Sequence, residues 1–190
     1  SKTRIIVDNK EVKKQPALAE GLAVQTIHPH SHLLIEGAPS ERRAFLDWGL
    51  FHVEQESREI SLKYNKVLRQ RNEALRSMDK SHDRWTEELA SIGQDLSKMR
   101  EKYVSDIKVY LDQTRQHIMP KYDLNFVYYR GWDEQKSLLE ALQEKKDRDF
   151  ERGYTSQGPQ NADLKIFLNE TEAHRICSRG QQKLIANIML

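Results

Sequence analysis

Apolar side chains recur through Trp85, Leu89, Ile92, Leu96, Met99, Tyr103, Ile107 and Tyr110 at intervals of 4, 3, 4, 3, 4, 4 and 3. That is a heptad seam with one extra step, a period that an α-helix presents on one side. It predicts one helix from Asp83 to Ile118, 36 residues and about 54 Å at a rise of ~1.5 Å each. So long a helix leaves most of its circumference in water, and the composition agrees. Of 190 residues, 32% are charged and 37% apolar, which suits helices that each bury one stripe.

A second helical set, Ile60, Tyr64, Val67, Leu68, Leu75 and Met78, precedes the seam. The link from Ser77 to His82 is short, so the two helices are expected to pack antiparallel as a projecting arm over residues 57–119. Gly93 lies inside the seam helix, where Gly costs ~1 kcal/mol relative to Ala, and it allows a close approach of the partner helix. Pro120 ends the arm. Upstream, Pro39 opens another helix with Ser40 as its expected N-cap, and Ala44, Phe45, Trp48, Phe51 and His52 form its apolar face.

Around the helices the pattern changes to strands. Residues 2–12 read as a hairpin turning at Asp8-Asn9, and Leu22–Ile27 as a short strand. Leu124–Arg130 is β-rich, Asp133–Asp149 reads as one charged helix, and Gly158–Cys177 reads as two strands turning at Asn169-Glu170. The expected class is α+β: a sheet-containing body over 1–39, a helical arm over 40–120, and a second portion of body over 121–190. A lone hairpin at one end is marginal, and the run Gln181–Leu190 at the other carries no stop signal. Both ends are therefore read as cuts in something larger.

Several classes of function are excluded or unsupported. Mean hydropathy is −0.81, and no apolar run approaches the ~18 residues of a membrane span. No signal-peptide pattern opens the chain, and a lone cysteine, Cys177, cannot make an internal disulfide; both fit a cytoplasmic protein. The net charge of +2 is no argument for nucleic acid by itself. None of the 8 glycines is followed by Lys, so a Walker A loop is absent. Asp133-Glu134 follows Arg130-Gly131-Trp132 rather than four apolar residues, which removes a Walker B. This chain alone should not hydrolyse ATP. There is no Gly-x-Ser-x-Gly, and Cys177 reads as a small buried hydrophobe.

Three strings keep a chemical reading. His28-Pro29-His30-Ser31-His32 could begin a zinc site, but no acid-rich or His-rich motif supplies further ligands, and a solvent-facing loop accounts for it. Residues 58–76 hold Arg58, Lys63, Lys66, Arg69, Arg71 and Arg76 against Glu59 and Glu73. That stripe fits a phosphate backbone, or equally a solvated flank paired with acids on the next helix. Ser178-Arg179-Gly180-Gln181-Gln182 places a hydroxyl, a Gly and fresh helix amides together, which makes an anion cradle or an ordinary capped helix start.

A resemblance joins these pieces. Pro39-Ser40-Glu41-Arg42-Arg43-Ala44-Phe45-Leu46-Asp47-Trp48 resembles the Pro-x-x-Arg-Arg-x-Phe-Leu-Asp motif of the RecF family, and Tyr64–Asn72 resembles its arm helix. Arg130-Gly131-Trp132, Arg148-Asp149, Gly153-Tyr154-Thr155, Gly158-Pro159 and Ala162-Asp163-Leu164 follow in the family's order. Ser178–Lys183 is similar to its ATP-binding-cassette signature. The resemblance implies an internal piece of an SMC-like ATPase head with an inserted helical arm, Walker A lying upstream and Walker B downstream. It implies a parent protein that is a weak, DNA-stimulated ATPase, dimerising on ATP with Mg2+. The partners implied are double-stranded and gapped DNA and mediators of the RecR and RecO type.

In that arrangement Ser178, Arg179, Gly180, Gln181 and Gln182 would meet ATP across the dimer. Arg42, Lys63, Lys66, Arg69, Arg71 and Arg76 are the DNA-binding candidates, and Arg43 is expected to pair with Asp47 four residues on. At Arg179 the chain departs from cassette proteins in general, which carry Gly there; RecF-like chains tolerate this, but it changes the local charge. It departs from the family at His28-Pro29-His30, where many relatives carry Thr-Pro-Glu, and at Gln160-Asn161, where relatives often carry His and a basic residue. The second reading is a structural helical-hairpin interaction module with no nucleotide role.

Overall fold

A computed structural model of the chain describes residues 5–7, 10–12, 30–54, 56–79 and 82–190. Strands β1 (Ile5–Val7) and β2 (Lys10–Val12) pair antiparallel with Ile5 opposite Val12. The turn at Asp8-Asn9, the strand expected over Leu22–Ile27, and His28 lie outside the described residues.

Helix α1 (Leu33–Glu36) leads into α2 (Pro39–Val53). Pro39 takes the first helical position, where its fixed φ suits the helix and its missing N–H costs nothing. Ala38 is therefore the cap, and Ser40 sits inside the first turn rather than capping it. Helices α3 (Ser57–Arg76) and α4 (His82–Ile118, 37 residues) run antiparallel. Arg71 meets Thr86 and Tyr64 meets Gly93, so one helix descends as the other climbs. A Cβ on Gly93 would stand 2.6 Å from the Leu138 side chain and 2.9 Å from that of Tyr64, so any other residue here would push packed side chains aside.

The hairpin does not project as a free arm. Tyr64, Val67, Leu89, Ile92 and Leu96 share one core with Trp132, Leu138, Ala141 and Leu142 from downstream. Farther along α4 the buried stripe rotates. Tyr110, expected in the seam, is 70% exposed, while Val104 and Leu111 are buried. A straight helix drifts ~20° per heptad against a strict seven-residue repeat, and here the partner changes as well. Val104 and Leu111 pack into a second core with Leu46, Phe126, Leu164, Ile185 and Ile188.

After α4 the chain forms β3 (Leu124–Tyr129), which pairs antiparallel with β4 (Asp163–Leu168), Leu124 opposite Leu168. A two-residue turn at Asn169 and Glu170, with φ of 48° and 70°, joins β4 to β5 (Thr171–Glu172). Positive φ at both positions gives the turn the twist that a tight hairpin needs. The second strand stops there, because α7 (Ala173–Ile176) begins at once. The helix expected over Asp133–Asp149 is two helices, α5 (Leu138–Glu144) and α6 (Lys146–Arg152), broken at Lys145. Ser137 and Glu140 form a reciprocal capping box that fixes the start of α5 late. Helix α8 (Arg179–Met189) closes the chain against the second core.

Candidate nucleotide and nucleic-acid interface

Ser178 caps α8 from extended backbone. Its Oγ accepts the Gln181 N–H at 3.3 Å, and Gln181 Oε1 accepts the Ser178 N–H at 2.9 Å. The other end of that carboxamide, Nε2, donates to Tyr122 Oη at 3.3 Å. Ser178, Arg179 and Gly180 are exposed. The Arg179 and Gly180 amides find no acceptor among the described residues, and the Arg179 guanidinium has no ion pair there. Gly is a poor helix former, and the fold does not ask for one here. The nearest atom to a Cβ on Gly180 would be Ser178 Oγ at 3.9 Å. Bare backbone, two free amides and a helix N-terminus at one exposed spot are what an anion needs.

Gln182 does not belong to that surface. It is 4% exposed, and its Nε2 points inward to donate to the Cys177 carbonyl at 3.4 Å. As the fourth residue of α8 it falls on the helix's buried row with Ile185 and Ala186. Cys177 itself is half-buried against the second core, and burial pushes its thiol pKa up.

The basic helix divides in two. Lys63, Lys66, Arg69 and Arg76 lie on the exposed face of α3 beside Leu62 and Asn65. Lys63, Lys66 and Arg69 form no ion pair among the described residues, so the expected pairing with acids on the next helix is not what occupies them. Arg71 is 1% exposed. Its Nη1 donates to Asp149 Oδ2 at 2.9 Å and Thr155 Oγ1 at 2.7 Å, and its Nε donates to Thr86 Oγ1 at 2.9 Å. A guanidinium so enclosed cannot reach a phosphate.

Arg42 is enclosed in the same way. At 9% exposure it grips Asp163 with Nε and Nη2, at 2.7 and 3.1 Å, and gives Nη1 to the Gly37 carbonyl. Arg43 donates to the Ala162 carbonyl at 2.8 Å and does not take Asp47. Desolvation first, then the Arg100 charge, lowers the pKa of Arg43. Asp47 belongs instead to Arg100, held by Nε and Nη2 at 2.8 Å each, while Arg100 Nη1 reaches the Pro159 carbonyl.

These arginines converge on residues 149–163. Asn72 accepts the Thr155 N–H and hydroxyl, Asp149 accepts the Ser156 N–H, and Tyr64 donates to the side-chain oxygen of Gln160. Gly158 donates its N–H to the Gly131 carbonyl. Gly131 has φ of 94°, and a Cβ there would meet Gly158 O at 2.2 Å. The scattered motif strings thus assemble into one buried polar network that holds a loop. Arg100 and Tyr122 went unnoticed in the sequence. Arg100 carried a signal, since it follows Leu96 by four and shares its buried row; Tyr122 carried none.

Of the histidine string, residues 30–32 are described. His32 Nε2 lies 3.2 Å from Glu36, the His30 and His32 rings are 6.2 Å apart, and no group of three metal-binding side chains occurs among the described residues. None of the described helices is long and apolar enough to cross a membrane.

No protein-family model matches the chain. The DNA replication and repair protein RecF of Chromohalobacter salexigens is 38% identical across 100% of this chain and 53% of its own length. That of Pseudomonas aeruginosa is 41% identical over 95% of this chain and 50% of its own. The chain therefore spans about half the length of these curated relatives. Among solved structures, that of the recombination mediator protein RecF with ATP, in the RecFOR pathway, shares the fold. Its TM-score is 0.88 over 98% of this chain and 54% of that one, at 22% identity. With curated relatives at 38–41% identity along its whole length, this chain belongs to the RecF family.

Proposed function

We propose that this chain is the arm-and-signature portion of an ATP-gated, DNA-binding dimer that acts in the cytoplasm in DNA replication and gap repair. Residues 1–39 end the first ATPase lobe in this reading, 40–120 are the helical hairpin, and 121–190 are part of the second lobe. The observation that carries it is Gly180: backbone left bare where nothing in the fold requires it, in the same helix turn as a capping hydroxyl and the exposed Arg179. The Ser178 oxygen accepts from Gln181, so its proton is free to donate outward, and the Gly180 N–H lies in the same turn. Both would meet the terminal phosphate of an ATP held by a second subunit's Walker A, with the helix N-terminus favouring the negative charge. Bound ATP with Mg2+ supplies the anion that ties the two subunits together. Gapped or double-stranded DNA, and mediators of the RecR and RecO type, are the partners of the assembled dimer. The two relatives' name and the RecF–ATP structure favour this reading over a plain interaction hairpin.

Ser178→Arg in the full-length protein should abolish ATP-dependent dimerisation, read by sedimentation with and without ATP. A variant that dimerises on ATP as the wild type does would reduce Ser178 to a helix cap and leave the structural-hairpin reading in its place.

A further inference from the structure

Gln181 is the hinge of the Ser178 cap, and its carboxamide has two chemically different ends that fit one socket equally well by shape. Only one orientation closes the box, with Oε1 toward the Ser178 N–H. Turned over, the amide would set Nε2 against that N–H, donor against donor. The Ser178 N–H selects that orientation, and what holds the carboxamide in it lies far away in sequence: Tyr122 Oη, which accepts from Nε2 at 3.3 Å. Tyr122 is itself anchored. Its N–H donates to the Met119 carbonyl at 3.1 Å, and its carbonyl accepts from Arg115 Nη1 at 2.9 Å. Arg115 Nε in turn holds Asp112 Oδ1 at 2.7 Å, and the Tyr122 ring packs on the core beneath α8. An unbroken line of hydrogen bonds therefore runs from the last turns of α4 to the first turn of α8.

We propose that Tyr122 is a positioning residue for the anion-contacting turn: its hydroxyl fixes the Gln181 carboxamide, and through it the Ser178 cap, so that the serine proton stays available to an incoming phosphate. The proposal rests on the signature reading given above. The exposed Arg179 charge and the open space at Gly180 say why this turn needs fixing. Groups that meet a charge across a subunit boundary stabilise it best when they are already aligned.

The test uses full-length protein. Tyr122→Phe keeps the ring and removes only the hydroxyl. It should raise the ATP concentration for half-maximal dimerisation by about two- to tenfold, the worth of one net hydrogen bond. Without ATP, it should speed hydrogen exchange at the Ser178 and Gln181 amides while leaving exchange in β3 and β4 unchanged. Gln181→Ala, which also removes the acceptor of the Ser178 N–H, should lose at least as much, and the double variant should be no worse than Gln181→Ala alone, because the Tyr122 hydroxyl acts only through Gln181. Additive losses, or faster exchange spread through the sheet, would make Tyr122 merely structural and overturn the proposal. Wild-type ATP dependence in Tyr122→Phe, with Ser178→Arg still unable to dimerise, overturns the positioning role and leaves the signature reading standing. If Ser178→Arg dimerises normally, both fall together.

Discussion

On α3 the Arg69 guanidinium stands in solvent, while that of Arg71, two residues on, is 1% exposed and spread over Asp149, Thr155 and Thr86. Composition treats the two alike; helix phase does not. Arg71 follows Tyr64 by seven and Val67 by four and precedes Leu75 by four, and all three are buried, so the apolar period itself puts Arg71 on the inner row. Arg42 offered the same clue, since it precedes the buried Phe45 by three and Leu46 by four, although its partner Asp163, 121 residues away, leaves no mark in the spacing. Removing one member of a buried ion pair strands the other. Arg71→Ala should therefore destabilise the protein by ~3–5 kcal/mol, with Asp149 left uncompensated. Chemical denaturation measures this, and a loss below ~1 kcal/mol, typical of exposed pairs, would contradict the enclosure. The same variant, where it stays folded, should leave the salt dependence of DNA binding unchanged.

At the level of the element, α3 is a helix with one face in the core and one exposed, basic face. Lys63, Lys66 and Arg69 point outward without acids to neutralise them among the described residues. If that face lies along a phosphate backbone, replacing all three with Gln should weaken binding to every DNA sequence alike. It should also lower the slope of log K against log salt by about one for each phosphate no longer neutralised. An unchanged slope would return the face to plain solvation. Element boundaries show where sequence reading works and where it slips. The long seam helix was legible almost to the residue, because a repeated period outweighs local noise. The helix expected over Asp133–Asp149 was misjudged, although Ser137-x-x-Glu140 is a capping signature. A continuous run of charge hid a start signal that the hydrogen bonds make plain. At α8 the same kind of signature, Ser178-x-x-Gln181, was legible at once, but the Tyr122 that supports it was not, since tertiary pairing leaves no trace in spacing.

Across the whole molecule, α4 is the member that belongs to both cores. Its first half packs Leu89, Ile92 and Leu96 against α3 and α5, and its second half packs Val104 and Leu111 against the sheet and α8. Arg100 sits between the two halves and ties α4 to Asp47 of α2 and to the loop at Pro159. A rigid helix shared in this way should make the two cores open together, since neither can lose its half of α4 without exposing the other. Leu96 is 2% exposed in the first core and Leu164 is 0% exposed in the second. Truncating either to Ala should cost ~2–5 kcal/mol for the missing side chain and the cavity it leaves. If the cores are coupled through α4, each variant should lower amide protection in both. Leu96→Ala would then speed exchange in β3 and α8 as well as in α3 and α5, and Leu164→Ala would do the converse. Hydrogen exchange on the full-length protein reads this directly. Weaker protection only in the core that carries the substitution would mean that α4 bends or frays near Arg100, and the hairpin would then be a separate unit after all.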